Sequence, residues 1–294
     1  MNPMAPELDP AAAVAALFAL LWGGLWGSFL NVVVYRVPAG LSVVHPRSRC
    51  PQCLQPITWW QNIPVLSWLL LRGRCACCKT PISLRYPLVE AVTALLTLAV
   101  AVPWLPQLLQ AEELQWRPWL GLLGELSFVY IWLAIALIDA DTFFIPDSLS
   151  LPLPLLGLAL AALAGDLRGV TWQQSAAGAL VAGGGLWLVQ WGYGRLTGRE
   201  GLGFGDVKLL AGMGALLGLQ AVAALILAAA LQGLLFALGY AAFSKGAAMT
   251  DRGLQSLRHL ALPFGPFLVL GAVQWLLGHR LLAPVLQRWF EGGL

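Results

Sequence analysis

Two acidic stretches in a strongly apolar chain carry the residues best suited to chemistry. Asp206 stands at the front of the glycine-rich run GLGFGDVKLLAGMGALLG, and Asp139 closes an apolar segment in LIDADTFFIPDSLSLP. A buried ionised carboxylate is costly, so it is normally paired, neutralised or functional. If the two acids face each other, they can share a proton, so that one activates water while the other polarises a carbonyl group. This pattern predicts the catalytic pair of an aspartic peptidase.

Structural roles remain alternatives for some of these acids. Asp147 follows Pro146, and the helix dipole favours a carboxylate in the first turn of a helix. Asp206 could pair with Lys208 or cap the N-terminus of its own helix. Asp139 has no such role, because a negative charge near a helix C-terminus is electrostatically unfavourable.

Glycines surround the second acid and recur in the later apolar segments. Gly203 and Gly205, with Gly201 before them, would let an extended substrate backbone approach the Asp206 carboxylate closely. The other glycines have small-residue spacing, which predicts close helix packing in lipid. This second set comprises Gly183, Gly184, Gly185, Gly212, Gly214 and Gly218.

Four cysteines form a CxxC…CxxC array: Cys50 and Cys53 in CPQC, then Cys75 and Cys78 in CACC. Two such knuckles can bring four thiolates to one tetrahedral zinc ion. Four sulfur ligands leave no position for water, so the spacing predicts a structural metal rather than a catalytic one. Cys77 is left over, and free thiols or a redox pair are the alternatives.

Composition indicates that lipid is the solvent. Of the 294 residues, 59% are hydrophobic and only 11% are charged, whereas soluble domains carry roughly a quarter charged residues. Apolar stretches of about 20 residues predict an all-α polytopic bundle of about eight transmembrane helices, the first a retained anchor. No internal repeat stands out. The predicted spans are 11–35, 87–109, 118–139, 147–165, 171–194, 205–219, 220–243 and 261–282.

The distribution of Lys and Arg predicts the orientation. Residues 36–86 hold seven basic residues and no acid, and the loops at 195–208 and 244–260 hold three each, against four basic residues elsewhere. By the positive-inside rule these basic loops face the cytoplasm, and both termini lie outside. The net charge of +3 therefore reflects topology, and no nucleic-acid partner is expected. We expect three parts: a first helix at 1–35, a cytoplasmic four-cysteine loop at 36–86 and a multi-helix peptidase domain at 87–294.

Six motifs in order resemble the bacterial prepilin peptidases, the type IV leader peptidase family. They run along nearly the whole chain, and the resemblance is strong because the order is kept. The motifs are GSFLNVVVYR (27–36), RCPQC with CACC, TPISLRYPLVE (80–90), IDADTFFIPD, GFGDVK and LPFGPFLVLG (262–271).

The resemblance implies a bifunctional enzyme of the bacterial inner membrane. Such enzymes cut the short basic leader from membrane-inserted prepilins and pseudopilins of type IV pili and type II secretion, on the cytoplasmic face, after a glycine. Many then methylate the new N-terminal amine with S-adenosylmethionine. The motifs place the catalytic residues on Asp139 and Asp206 and the zinc site on the four paired cysteines. Asp141 and Asp147 become supporting or helix-start positions, and Lys208, Gly203 and Gly205 of the second motif are further supporting residues.

The residues themselves indicate a methyl-donor site less directly than they indicate the peptidase pair. No strand–GxGxxG–helix unit is present to hold a nucleoside. Asn31, Arg36 and Glu90 lie near the inner ends of the first two spans and are weak candidates to line a cofactor or amine site. Their alternative roles are helix packing for Asn31, snorkelling for Arg36 and an ion pair with Arg85 for Glu90.

Three other kinds of protein compete with this interpretation. A preflagellin-type or presenilin-like membrane protease would share the paired aspartates, but the cysteine pairs and the first-span motif argue against it. A transporter could also place acids in the membrane. A non-enzymatic assembly scaffold would tolerate loss of both aspartates. The sequence indicates no oligomeric state.

Overall fold

The computed structural model describes residues 10–109, 115–198, 203–244 and 262–282, and this part of the chain is helical, with two isolated β-bridges and no strand. The all-α prediction is therefore confirmed. Gly201 and nearly all of the basic loop at 244–260 lie outside the described residues. The helices are α1 (Pro10–Arg36), α2 (Leu66–Leu70), α3 (Arg85–Ala101), α4 (Leu105–Leu109), α5 (Trp116–Thr142), α6 (Asp147–Ser150), α7 (Pro152–Arg168), α8 (Trp172–Thr197), α9 (Phe204–Leu217), α10 (Leu219–Ser244) and α11 (Gly265–Leu277).

Within the described ranges, five helical stretches are long and apolar enough to cross a membrane. The protein is thus a polytopic membrane protein by length and composition, although the count of eight spans is not confirmed. Each of the eight predicted spans nonetheless contains a helix of the structure. The five stretches are Pro10–Arg36, Arg85–Leu109, Trp116–Thr142, Asp147–Arg168 and Leu219–Tyr240.

Contacts divide the chain into two compact units, Met1–Ala134 and Ile135–Leu294. In the first unit α1 packs along α3 through glycines. A Cβ atom on Gly27 would lie 2.6 Å from Glu90 Cα, and one on Gly23 would lie 2.7 Å from Ala94 Cα. Backbones can approach this closely only because both α1 positions lack side chains. The three-part division at residues 35 and 86 stays a prediction.

In the second unit α9 lies between α7 and α8 and is almost entirely buried beyond its first turn. A Cβ atom on Gly214 would meet Gly178 O at 2.3 Å, and one on Gly212 would meet Leu153 Cβ at 2.4 Å. The predicted small-residue packing is confirmed at these positions and at Gly183, which faces Ala211. Gly184 and Gly185 contact no such neighbour. This packing holds α9, and therefore Asp206 at its start, in a fixed position.

Candidate active site and metal centre

Asp139 lies in the last turn of α5 and is only 5% exposed. Its carboxylate accepts a hydrogen bond from the backbone N–H of Gly265, with 2.9 Å between Gly265 N and Asp139 Oδ2. Gly265 is the first residue of α11, where backbone N–H groups have no partner within the helix. The start of α11 therefore compensates the unfavourable position of Asp139 at a helix C-terminus.

Asp206 lies in the first turn of α9 and is 8% exposed. Gly203 is the N-cap residue of α9, so Asp206, three residues later, does not occupy the N-cap position considered for it. One carboxyl oxygen of Asp206, Oδ1, is buried and has no hydrogen-bond partner in the described part of the chain. A buried carboxylate oxygen without a partner is costly in a purely structural role.

The two buried acids are brought together. Burial disfavours the charged form of the Asp206 carboxyl group, and the charge of Asp139 adds to that effect. Sixty-seven positions separate them in sequence, yet both belong to the unit Ile135–Leu294. Two neighbouring carboxyl groups away from bulk water favour a state in which they hold a single proton between them.

Lys208 pairs with Asp147 rather than with Asp206. Its ammonium group forms an ion pair with Asp147 Oδ1 and lies 5.2 Å from the centre of the Phe204 ring. Asp147 begins α6 directly after Pro146, as the sequence predicts. The alternative in which Lys208 neutralises Asp206 is therefore wrong, and the ion pair instead joins α6 to α9.

The glycines before Asp206 have different surroundings. A Cβ atom on Gly203 would lie 3.4 Å from Asp206 Oδ2, so the missing side chain leaves the carboxylate approachable. A Cβ atom on Gly205 would lie 2.7 Å from Ile145 Cβ, so Gly205 is a packing position.

Asp141 is exposed on the last turn of α5.

Gly265 is the residue at this site to which the sequence assigned no role. It lies within the motif LPFGPFLVLG, but nothing in that motif indicates a contact with Asp139. A glycine flanked by Phe264 and Pro266 at the start of an apolar segment was the available signal, because it marks a helix start where backbone donors are free.

The four paired cysteines form a compact cluster. All four sulfur atoms lie within 4.8 Å of one another, with 3.8 Å between Cys50 and Cys78 and 4.0 Å between Cys53 and Cys75. Zn–S bonds of about 2.3 Å in a tetrahedron place sulfur atoms about 3.8 Å apart, so the cluster fits zinc. It could hold a metal with all four positions filled by protein.

The two cysteine knuckles repeat the same fold. In the first knuckle the Cys50 N–H donates to Gln55 O and the Leu54 N–H donates to Cys50 O. In the second knuckle the Cys75 N–H donates to Thr80 O and the Lys79 N–H donates to Cys75 O. Leu54 and Lys79 both adopt positive φ, at 58° and 60°. This short internal repeat, RCxxCxxP, was not predicted from the sequence.

The thiol chemistry of the cluster favours metal binding. Hydrogen bonds with the Thr80 hydroxyl and backbone lower the pKa of the Cys78 thiol to about 6. The thiolate is the form that binds metal. Cys77 is exposed and is not part of the cluster.

The three polar residues considered for a methyl donor have other partners. The Asn31 amide donates to Gly27 O and Tyr86 O, both at 3.3 Å. The Arg36 guanidinium donates to two loop carbonyls at 2.8 Å. Glu90 Oε2 accepts from the Val65 N–H at 2.7 Å. These contacts are local, and the methyl-donor role of the three residues stays a prediction.

Two family models match the chain in order. The bacterial peptidase A24 N-terminal domain matches residues 21–104, which include the cysteine knuckles. The type IV leader peptidase family matches residues 126–238, which include Asp139 and Asp206.

Curated relatives match over most of the chain, and no solved structure matches it. The chain is 37% identical to the prepilin leader peptidase/N-methyltransferase of Aeromonas hydrophila, over 90% of this chain and 89% of the relative. It is 38% identical to that of Neisseria gonorrhoeae over 81% and 84%, respectively. It is 41% identical to that of Klebsiella pneumoniae over 71% and 90%. The chain therefore belongs to the type IV leader peptidase family.

Proposed function

We propose that this protein cuts the leader peptide from membrane-inserted prepilins or pseudopilins, with Asp139 and Asp206 as the catalytic pair. The observation that carries the proposal is that two buried carboxyl groups are close enough for the charge of one to disfavour ionisation of the other, and that one of them has an oxygen without a partner in the described residues. The substrate class comes from the names of the relatives, which match over the greater part of their length.

The contacts of the two acids suggest different roles. An ionised Asp139 is stabilised by the Gly265 N–H, which can only donate. Asp206 Oδ1 lacks such a donor, so the shared proton is better placed there, where it can be given to the substrate. Asp139 would then be the base at the start of the reaction and Asp206 the acid.

Peptide cleavage by such a pair needs no covalent intermediate. Asp139 removes a proton from water as the water oxygen attacks the scissile carbonyl carbon, and Asp206 gives its proton to the carbonyl oxygen. As the C–N bond of the tetrahedral intermediate breaks, the proton held by Asp139 passes to the leaving amine, and Asp206 takes back a proton from one hydroxyl group of the intermediate, so that the carbonyl of the new carboxyl group forms. A Cβ atom on Gly203 would contact Asp206 Oδ2, so the glycine leaves that side of the carboxylate to the extended substrate backbone.

The orientation follows from charge. The excess of basic residues between α1 and α3 supports a position of this loop, and with it of the substrate's leader, on the cytoplasmic side of the bacterial inner membrane. Zinc is the proposed metal of the four-cysteine cluster, where it would crosslink the two knuckles.

Methylation of the new N-terminus by S-adenosylmethionine is proposed on the relatives' names. Asn31, Arg36 and Glu90, near the inner ends of the first two spans, are the candidate residues for the methyl-donor site.

One experiment tests both activities. The purified protein in detergent is incubated with a synthetic prepilin and S-adenosylmethionine, and the products are weighed by mass spectrometry. We expect a product that has lost its leader and gained one methyl group. An uncut prepilin would contradict the proposal and favour a transporter or a scaffold.

A further inference from the structure

An apolar segment lies between the two cysteine knuckles and is anchored to the membrane helices rather than to the knuckles alone. This segment, residues 59–71, is called the wedge below. It consists of a 3-10 helix at Trp59–Asn62 and the short helix α2 at Leu66–Leu70. Its sequence, WWQNIPVLSWLLL, carries no charge.

Contacts with α1 fix the depth of the wedge. The Pro64 ring packs on Gly24, where a Cβ atom would lie 3.1 Å from Pro64 Cβ, and the Ser28 hydroxyl lies 3.4 Å from Asn62 Oδ1. The level at which α3 begins is marked by Asn31, whose amide reaches Tyr86 O. Gly24 is seven residues before Asn31 in the same helix, a rise of about 10 Å. Pro64 therefore lies about 10 Å deeper along α1 than the level at which α3 begins, and the wedge reaches that depth.

The backbone of the wedge satisfies the condition for entering hydrocarbon, where unpaired polar groups are costly. Glu90 reaches from α3 to accept the Val65 N–H, which precedes α2. The hydroxyl of Ser67 donates to Ile63 O, and the N–H groups of Ser67, Leu69 and Leu71 are bonded within the segment. Glu90, a buried acid in α3, thus has a structural partner in the Val65 N–H.

The outer face of the wedge is strongly apolar and exposed. Trp59 is 82% exposed, Leu69 58% and Leu70 67%. Arg72 and Arg74 follow directly, at the point where the chain leaves the wedge for the second knuckle. A short segment with exposed Trp and Leu side chains and Arg at its edge is typical of elements that lie 5–10 Å deep in a leaflet.

We propose that the wedge is inserted into the adjacent leaflet and that its exposed face contacts phospholipid acyl chains. Depth, internal hydrogen bonding and an uncharged outer face with flanking arginines all fit lipid as the partner. A basic leader peptide does not fit, because the loop from residue 36 to 86 contains no acid. The cysteine knuckles on either side of the wedge are thereby held at the membrane surface.

Photo-crosslinking in the full-length, metal-loaded protein tests this. Benzoylphenylalanine replaces Leu70 in one variant and the exposed knuckle residue Gln52 in a control, and both proteins are reconstituted in phosphatidylethanolamine–phosphatidylglycerol vesicles. We expect at least fivefold more phospholipid adduct by mass spectrometry at position 70 than at position 52. Equal adduct yields, or adducts at position 70 with a prepilin or a second chain instead of lipid, would overturn the proposal.

A second measurement does not depend on the unnatural residue being tolerated. Leu70→Cys and Gln52→Cys are made in a Cys77→Ser background and treated with a membrane-impermeant maleimide in inside-out vesicles. We expect Cys at position 52 to react in vesicles and Cys at position 70 to react only after detergent is added. Equal labelling of both in intact vesicles would contradict insertion. Because neither readout is cleavage, failure here is distinguishable from failure of the proposed peptidase activity.

Discussion

The backbone N–H of Gly265 donates a hydrogen bond to Oδ2 of Asp139 across 126 positions of sequence. This contact joins the first residue of α11 to the last turn of α5 and fixes one member of the acidic pair. A side chain at residue 265 would occupy the same space, since its Cβ would lie 2.7 Å from Asp139 Oδ2 and 3.2 Å from Cγ.

Gly265→Ala is therefore expected to lower kcat for prepilin cleavage by about 10²-fold, because the carboxylate must move by a large part of an ångström. Loss of folding is not expected, since alanine is the better helix former. Cleavage rates and thermal unfolding in detergent are measured together. Gly278→Ala on the same apolar segment is the control, because its Cβ would meet nothing within 4 Å. Equal rates for both variants would show that the contact does not position Asp139.

Asp139→Asn and Asp206→Asn are each expected to reduce cleavage by at least about 10³-fold, because each removes a group that transfers a proton. The double variant should be no slower than either single one, since the two acids act as a unit. Asp141→Asn, an exposed carboxylate two residues from Asp139, is the matched control and should stay within about threefold of the wild-type rate. Normal processing by either single variant would remove that residue from the catalytic pair.

The pairing of Lys208 with Asp147 predicts a mild effect for both partners. Lys208→Met and Asp147→Asn should each change the free energy of unfolding by about 1 kcal/mol or less, because Asp147 is 60% exposed and the pair is screened. Cleavage should persist in both, and a double-mutant cycle should give a coupling of the same small size. A loss of cleavage in Lys208→Met as deep as that of Asp206→Asn would place Lys208 in the catalytic machinery.

The sequence predicted the acids but not the contacts that set their roles. Hydrophobic length located a helix in each of the eight segments, and Pro146 with Asp147 marked the start of α6, because these signals are local. Lys208 pairs with Asp147 and not with Asp206 because of where α6 packs. The contact between Gly265 and Asp139 joins segments far apart in sequence. No periodic pattern carries such information.

The wedge shows a second limit of sequence patterns. Its apolar run is too short for a span, so residues 36–86 were predicted to form one cytoplasmic loop. The depth of Pro64 becomes visible only through its contact with Gly24, and the purpose of Glu90 only through the Val65 N–H. The cysteine spacing, in contrast, was sufficient to predict the four-sulfur cluster, because CxxC pairs determine local knuckle geometry.

The cysteine cluster predicts one bound zinc ion per chain, measured by elemental mass spectrometry of the purified protein. Cys53→Ser or Cys75→Ser should lose the metal, whereas Cys77→Ser, which lies outside the cluster, should keep it. Metal loss should also expose the loop to trypsin at Arg47, Arg49, Arg72, Arg74 and Lys79, because the thiolates crosslink the knuckles. Full metal content in Cys53→Ser, or metal loss in Cys77→Ser, would show a different ligand set.

The hydrogen bond between Glu90 and the Val65 N–H predicts a difference between two substitutions of the same residue. Glu90→Gln keeps an acceptor oxygen, so the wedge should stay in place and Leu70→Cys should remain protected from the impermeant maleimide. Glu90→Leu leaves a buried N–H without a partner at a cost of about 1–3 kcal/mol, so the wedge should detach and Cys at position 70 should become reactive. If both substitutions leave labelling unchanged, the wedge is held by other contacts, and the buried acid at residue 90 must have a role other than anchoring it.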